Sequence, residues 1–304
     1  MAAYPVVQLD VFTNQPLQGN PLAVFPEPAG LSTKRMQALA REMNLSETTF
    51  VLPSDAATRR VRFFTPTDEI PLAGHPTIGT WWHLVESGAL GLPPQGIVEV
   101  TQETGAGVLP VEIVMANGRP QRVVMTQATP TFGKHIRDRA ALGDALGGTA
   151  DTVGEPVPQV VSTALPQAMI PVPSLEQLQA LPVGGRGSDL AALLQAHGTN
   201  CAMCFSMETV FEDATVHCRM FAPGLGVPED PATGSAAGAL GAYLVRHGLV
   251  DVYDGQATIV VEQGLEIGRP SRIHVAVQLR DGGAIGVVRV GGAAVTVMTG
   301  VVVL

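Results

Sequence analysis

Positive charge is scarce in this 304-residue chain: 18 Lys and Arg stand against 27 Asp and Glu, a formal net charge of −9 at pH 7. Apart from the short Arg59-Arg60-Val61-Arg62 run no Lys/Arg cluster occurs, so the basic face that a nucleic acid backbone requires is missing. Aromatic residues are also few, at 5%, and supply no stacking platform. Mean hydropathy is +0.25, high for a soluble protein. Yet no apolar run approaches the roughly 18 residues that a membrane span needs. The apolar stretch Val295 to Leu304 is short and β-branched, and reads as a strand. The opening MAAYPVVQLDVF lacks the charged start and apolar core of a secretory leader, so a cytoplasmic location is expected. Only three cysteines are present, Cys201, Cys204 and Cys218. On a strand, Cys201 and Cys204 point to opposite faces. With no second cysteine pair and scattered histidines, no metal centre is expected, and the thiols read as buried, reduced and structural.

What the chain does have is a long internal echo. Arg62 to Leu90 reads RFFTPTDEIPLAGHPTIGTWWHLVESGAL, and Arg219 to Val250 reads RMFAPGLGVPEDPATGSAAGALGAYLVRHGLV, with matched positions about 157 to 162 residues apart. Arg-x-Phe-x-Pro opens both copies (Arg62, Phe64, Pro66; Arg219, Phe221, Pro223). Three extra residues then enter the second copy, after which Gly74 matches Gly234, His75 matches Ser235 and Gly88 matches Gly248. A duplicated half-molecule predicts two similar domains, 1–118 and 119–304, facing each other across a cleft, a favoured place for a small ligand. The last strand, about 295–304, lies beyond the repeat and has either domain open to it.

Each half carries one exceptional helix, over about 76–87 and about 235–247. Both are apolar on all sides, the mark of a buried helix. Gly79, Gly238 and Gly241 weaken helix propensity by up to ~1 kcal/mol each and make sense only where something packs very close. Around these helices, strands are predicted at Val6 to Phe12, Leu22 to Phe25, Thr48 to Leu52, Val61 to Phe64, Ile97 to Gln102, Val108 to Met115 and Arg122 to Thr126. In the second half they are predicted at Cys201 to Met207, Thr215 to Phe221, Ala257 to Glu262, Ser271 to Leu279 and Ile285 to Val290. Ser32 can cap a helix over Thr33 to Met43, and Ser174 to Leu181 is a second amphipathic candidate. Gly147 to Pro158 reads as a surface loop. The expected fold class is α+β, two pseudo-symmetric domains, each a curved, mostly antiparallel sheet wrapped around a central helix.

Both buried helices start at glycine turns, Ala73-Gly-His-Pro76 and Thr233-Gly-Ser-Ala236. Free N–H groups and the positive dipole end suit a substrate carboxylate there, although plain helix capping would look the same. Glu47, between an amphipathic helix and an apolar strand, is a candidate general acid/base if half-buried; the alternative is a solvated loop carboxylate. Asp230, in Glu-Asp-Pro-Ala-Thr-Gly-Ser235, is a second candidate or simply a turn residue. Gly234-Ser-Ala-Ala-Gly238 is not a nucleophile elbow, because Thr233 stands where the first glycine would be. Neither a P-loop nor a dinucleotide fingerprint occurs. Cofactor-free chemistry is the residual expectation.

Several ordered motifs together resemble the PhzF-like (phenazine-biosynthesis) isomerase family, whose fold is that of diaminopimelate epimerase. They are Leu9-Asp-Val-Phe-Thr13 with Gly19-Asn-Pro-Leu-Ala-Val24, Asn44-Leu-Ser-Glu-Thr-Thr-Phe50, Phe64-Thr-Pro66, Leu72-Ala-Gly-His-Pro-Thr77 and Glu229-Asp-Pro-Ala-Thr-Gly-Ser-Ala236. The resemblance implies a homodimer, no cofactor and an active site between the domains. It also implies one glutamate, Glu47, that takes a proton from one substrate carbon and returns it to another. His75 and Asp230 would bind polar substituents and tune protonation. Ser235 with Gly74 and Gly234 would hold the carboxylate, and Asn20 is a further contact. Epimerases of this fold use two cysteines, and the matching positions here are Ala73 and Thr233, so two-thiol chemistry is not expected. The family's known reaction acts on trans-2,3-dihydro-3-hydroxyanthranilate. Against this stand a binding or regulatory protein that kept the site without turnover, and an amino-acid epimerase with other acid/base groups.

Overall fold

The computed structural model describes residues 1–304. The chain forms two compact units: Met1–Met125 together with Gly291–Leu304, and Thr126–Val290.

The first unit contains β1 (Ala3–Val11), β2 (Asn20–Phe25), α1 (Thr33–Met43), β3 (Thr48–Leu52), β4 (Arg59–Phe64), the short β5 (Glu69–Ile70), α2 (Gly74–Glu86), β6 (Gly96–Thr104), β7 (Gly107–Ala116) and β8 (Arg119–Thr126). The C-terminal strand, Ala294–Val303, runs antiparallel to β1 with Ala3 opposite Val303. From there the order passes through β2, β3, β4, β6, β7 and β8. Two pairings are parallel, β2 with β3 and β4 with β6. A parallel pair needs a crossover, and α1 and α2 supply them. Helix α1 forms as its sequence predicts. Ser32 accepts a hydrogen bond from the Arg35 N–H, Asn44 ends the helix in the left-handed region at φ 51°, and Met36, Leu39 and Ala40 are buried. They pack on Phe25, Phe50 and Phe64, whose rings stack (Phe25 and Phe50, 4.9 Å) or meet edge-on (Phe50 and Phe64, 5.3 Å).

Helix α2 is the centre of this unit. All its residues from His75 to Val85 are buried except His83, and it packs on β1, β2, β3 and the C-terminal strand. Within it the Trp81 Nε1–H donates to buried Gln102 at 3.0 Å. Gly79 is the point of closest approach. A Cβ there would lie 2.6 Å from Leu22 Cδ2 and 2.7 Å from Val11 Cγ2.

The second unit runs β9 (Thr131–His135), α3 (Arg139–Ala145), β10 (Gln159–Ser162), β11 (Pro166–Pro171), α4 (Leu175–Gln179), α5 (Ser188–Ala196), β12 (Ala202–Ser206), β13 (Val216–Ala222), β14 (Val227–Asp230), α6 (Gly234–Arg246), β15 (Gln256–Gln263), β16 (Ser271–Leu279) and β17 (Ile285–Gly292). Its sheet passes from β9 through β10, β11, β12, β13, β15 and β16. Again two pairings are parallel, β11 with β12 and β13 with β15. Helix α6 crosses over between the latter pair and is buried from Ala236 to Leu244. A Cβ on Gly241 would stand 2.7 Å from Val275 Cγ1, and one on Gly238 would strike the Gln127 side chain. The helix expected over Ser174 to Leu181 is one turn shorter, because Ser174 is its cap and accepts from the Gln177 N–H. Helices α3 and α5 and strands β9, β10 and β11 were not anticipated from the sequence.

Replacing Gly79 by Ala gains about 1 kcal/mol of helix propensity, but forces two branched core side chains apart, an overpacking cost of about 1–3 kcal/mol. Urea unfolding of Gly79→Ala is expected to show a net loss of stability. A variant at least as stable as the parent would mean that β1 and β2 do not press on α2 as described.

Candidate functional site

In the first unit, the candidate residues gather at the N-terminal end of α2. Gly74 and His75 open the helix, and no side chain caps it, since the N-cap residue is Ala73. Glu47 immediately precedes β3. The pairing of β3 with β2 brings it to the helix end, where its Oε2 lies 3.4 Å from Nε2 of His75. The Glu47 side chain keeps 20% exposure and His75 only 8%, so the carboxyl reaches solvent past a buried ring. Burial disfavours the imidazolium and lowers His75 to about 3, despite a hydrogen bond to the Pro21 carbonyl. His75 is therefore neutral across the physiological range. Because Nε2 faces Glu47, the N–H donated to Pro21 is Nδ1–H, and Nε2 carries a lone pair. Asn20, adjacent to Pro21, is fully buried at the start of β2.

In the second unit, Asp230 ends β14, and Thr233, Gly234 and Ser235 lead into α6. The turn is held from several directions. The Thr233 hydroxyl donates to the Asp230 carboxylate. Buried Gln263 donates to the Asp230 carbonyl at 2.7 Å and to Thr233 Oγ1 at 3.1 Å, and its Oε1 accepts the Thr233 N–H at 3.2 Å. Gln127 donates to the Gly234 carbonyl at 3.0 Å, and the Thr163 hydroxyl reaches the Ser235 carbonyl at 3.3 Å. Gln263, Gln127 and Thr163 belong to no motif that marked the site in the sequence. The signal available for Gln263 was an amide closing a strand whose centre, Thr258 to Val261, is β-branched.

The opening arginine of each repeat copy has a physical role. Arg62 forks onto Glu69 of β5 (2.7 and 2.6 Å), and Arg219 forks onto Glu229 of β14 (2.9 and 2.7 Å). Each guanidinium also lies over the phenylalanine two residues on, at 5.1 and 5.0 Å. Arg219 further donates to the carbonyls of Leu178, Gln179 and Leu181. Beside it on β13, the His217 ring bonds Glu262 through Nδ1 (2.6 Å) and Glu266 through Nε2 (2.9 Å). Burial opposes charging of this ring. The two carboxylate hydrogen bonds and the charges behind them outweigh it and raise His217 to about 9. The cysteines are all free and buried. Burial lifts Cys201 to about 11 and Cys204 to about 12, and pushes Cys218 well above the usual thiol range, which leaves them unreactive. No group of His, Cys, Asp and Glu is arranged to hold a metal ion. No helix is long and apolar enough to cross a membrane.

The architecture is that of an α+β fold shared by PhzF proteins and a group of epimerases. A PhzF-family phenazine biosynthesis protein from Bacillus anthracis superposes with a TM-score of 0.90 at 30% identity, over 100% of both chains. A hydroxyproline epimerase from Agrobacterium vitis shares the fold at 15% identity, with a TM-score of 0.64 over 99% of this chain and 92% of its own. The chain belongs to the PhzC-PhzF family of phenazine biosynthesis-like proteins, whose pattern spans residues 9–300. An uncharacterized isomerase of Mesorhizobium japonicum is 37% identical over 96% of each chain. The trans-2,3-dihydro-3-hydroxyanthranilate isomerase of Pseudomonas aeruginosa is 38% identical over 88% of each. The family is one of isomerases, and so is this chain.

The charged state of His217 sets a pH dependence. Its folded pKa of about 9 lies above the ordinary 6.5. Its stabilisation is therefore complete below about 6.5 and lost as pH rises through about 9. His217→Gln, which removes the positive charge between two carboxylates, is expected to cost about 3–5 kcal/mol near pH 7. The gap to the parent should narrow by about pH 10 in chemical denaturation. A gap of constant size would show that the imidazolium charge is not its source.

Proposed function

We propose that this isomerase works without a cofactor, moving a proton and a double bond on a small, carboxylated, unsaturated substrate through the single acid/base Glu47. The observation that carries this reading is the Glu47 carboxyl set 3.4 Å from the bare Nε2 of a buried, neutral histidine. A carboxylate in that place can break a substrate C–H bond, the electron pair flowing into a new double bond while Glu47 takes the proton. The protonated carboxyl then turns its O–H toward the His75 lone pair or toward substrate. It returns the proton to the far carbon of the original double bond, and the enzyme is unchanged. Neutral His75 suits this cycle, because an imidazolium would hold Glu47 as an anion and delay the return. One carboxyl serves both steps if the proton stays on one face of the substrate.

The remaining roles rest on the family resemblance. Asp230 binds a polar substituent, Gly74, Gly234 and Ser235 hold the carboxylate, and Asn20 contacts the substrate. A homodimer follows from the same source and is open to sedimentation analysis. The buried, high-pKa thiols and the Ala73 and Thr233 positions speak against two-cysteine epimerisation. The likeness to the Pseudomonas aeruginosa enzyme supports trans-2,3-dihydro-3-hydroxyanthranilate as the first substrate to try.

Turnover of that compound and of a panel of small unsaturated and amino acids, run in D₂O, tests the proposal. General acid/base catalysis is worth about 10²–10⁴-fold. Glu47→Gln should lose at least that factor in turnover, together with any enzyme-dependent deuterium uptake, while keeping the parent's melting temperature. Full turnover by the folded variant would remove Glu47 from the mechanism.

A further inference from the structure

Threonine at a helix N-cap ordinarily turns its hydroxyl back to the N–H two or three residues on. The cap side chains of three other helices do so: Ser32 on α1, Asp138 on α3 and Ser174 on α4. Thr233, at the N-cap of α6, does not. Its hydroxyl points the other way, into the Asp230 carboxylate. The direction is fixed by Gln263, which is fully buried at the end of β15. Its Oε1 must be the atom facing the Thr233 N–H, because only oxygen accepts there. The other end of the amide is thus nitrogen, and it donates to Thr233 Oγ1 and to the Asp230 carbonyl. An Oγ1 that accepts from Gln263 sends its own hydrogen to Asp230. Backbone and side chain of Asp230 are thus held by the same two residues. From the neighbouring position, Glu229 is locked to Arg219, with both side chains 1% exposed.

We propose that Thr233 and Gln263 are positioning residues, which forgo a helix cap so as to fix the orientation of the Asp230 carboxylate for substrate. The inference rests on the role given to Asp230 above. It makes Thr233 more than a blank where a two-base enzyme of this fold keeps a thiol. The residue supplies the asymmetry between the two glycine turns, since Ala73 has no side-chain atom able to orient anything.

The test has two arms. Crystal structures of Thr233→Val, which keeps the shape and deletes the hydroxyl, and of Thr233→Ser, which restores it, read orientation without any substrate. Asp230 should leave its parental rotamer in the first and keep it in the second. In turnover of trans-2,3-dihydro-3-hydroxyanthranilate, Thr233→Val should lower kcat/KM roughly ten- to hundredfold, the worth of a hydrogen bond to a charged group. Thr233→Ser should stay within a few-fold of the parent. In an Asp230→Ala background the same Thr233→Val change should cost less than about twofold, because a residue that acts through Asp230 has nothing left to act on. Gln263→Leu gives the same comparisons if Thr233→Val fails to fold. An unmoved Asp230 in Thr233→Val, or a full cost in the Asp230→Ala background, would overturn the proposal. Parental turnover by Asp230→Ala alone would instead remove the role assigned to Asp230, while the crystal structures still decide whether Thr233 orients it.

Discussion

A helix with no polar face has to be enclosed, and nearly everything in each unit follows from enclosing one. Burying side chains such as Ile78, Trp81, Leu240 and Leu244 is worth about 1.5–3 kcal/mol apiece, more than the helix itself could supply. The sheet comes close enough to do this only where glycine replaces a side chain, at Gly79 against Val11 and Leu22 and at Gly241 against Val275. A helix so enclosed also crosses over between parallel strands, β4 to β6 and β13 to β15. That delivers its N-terminus beside the strand ends that carry Glu47 and Asp230. The first-turn N–H groups of such a helix need partners. Neither Ala73 nor Thr233 supplies a side-chain cap there.

The duplicated arginine shows how one motif acquires two weights. Arg62 and Glu69 meet near the surface, with side-chain exposures of 16% and 39%. A pair of that kind contributes at most about 1 kcal/mol. Arg219 and Glu229 make the same fork at 1% exposure each. Removing either partner there leaves a buried charge, which costs about 3–5 kcal/mol. The heavier version stands next to Asp230, in the copy whose turn has the added polar residues.

Much of the first unit was legible because its elements carry local punctuation. Ser32 and Asn44 bracket α1, alternation marks β1, and Gly88 follows α2. The second unit hid more. Strands β10 and β11 are short, with Pro156 and Pro158 ahead of β10 and Pro166 and Pro171 as the end residues of β11, which disguise a strand as loop. Helix α3 is seven residues long and runs into Gly147 and Gly148, and α5 follows the breaker run Gly184, Gly185 and Gly187. Of the candidate residues, Glu47, His75, Asp230 and Ser235 were nameable because they sit in ordered motifs. The neutrality of His75 was not, since it depends on how deeply α2 is buried. Nor were Gln263, Gln127 and Thr163, whose hydrogen bonds reach the Asp230 turn from 30, 107 and 72 residues away.

The pairing of β1 with the C-terminal strand has a consequence for synthesis on the ribosome. The second unit is one unbroken stretch, so every strand in it has its neighbour as soon as that stretch is made. The first unit has two parts, and β1 meets Ala294–Val303 only after the whole of the second has emerged. Until then β1 keeps β2 on one side and presents an open edge on the other, the state most prone to pairing with the wrong chain. Vectorial production thus favours completing the second unit first. It leaves the half bearing Glu47 and His75, begun earlier, to be sealed by a strand almost the length of the chain away.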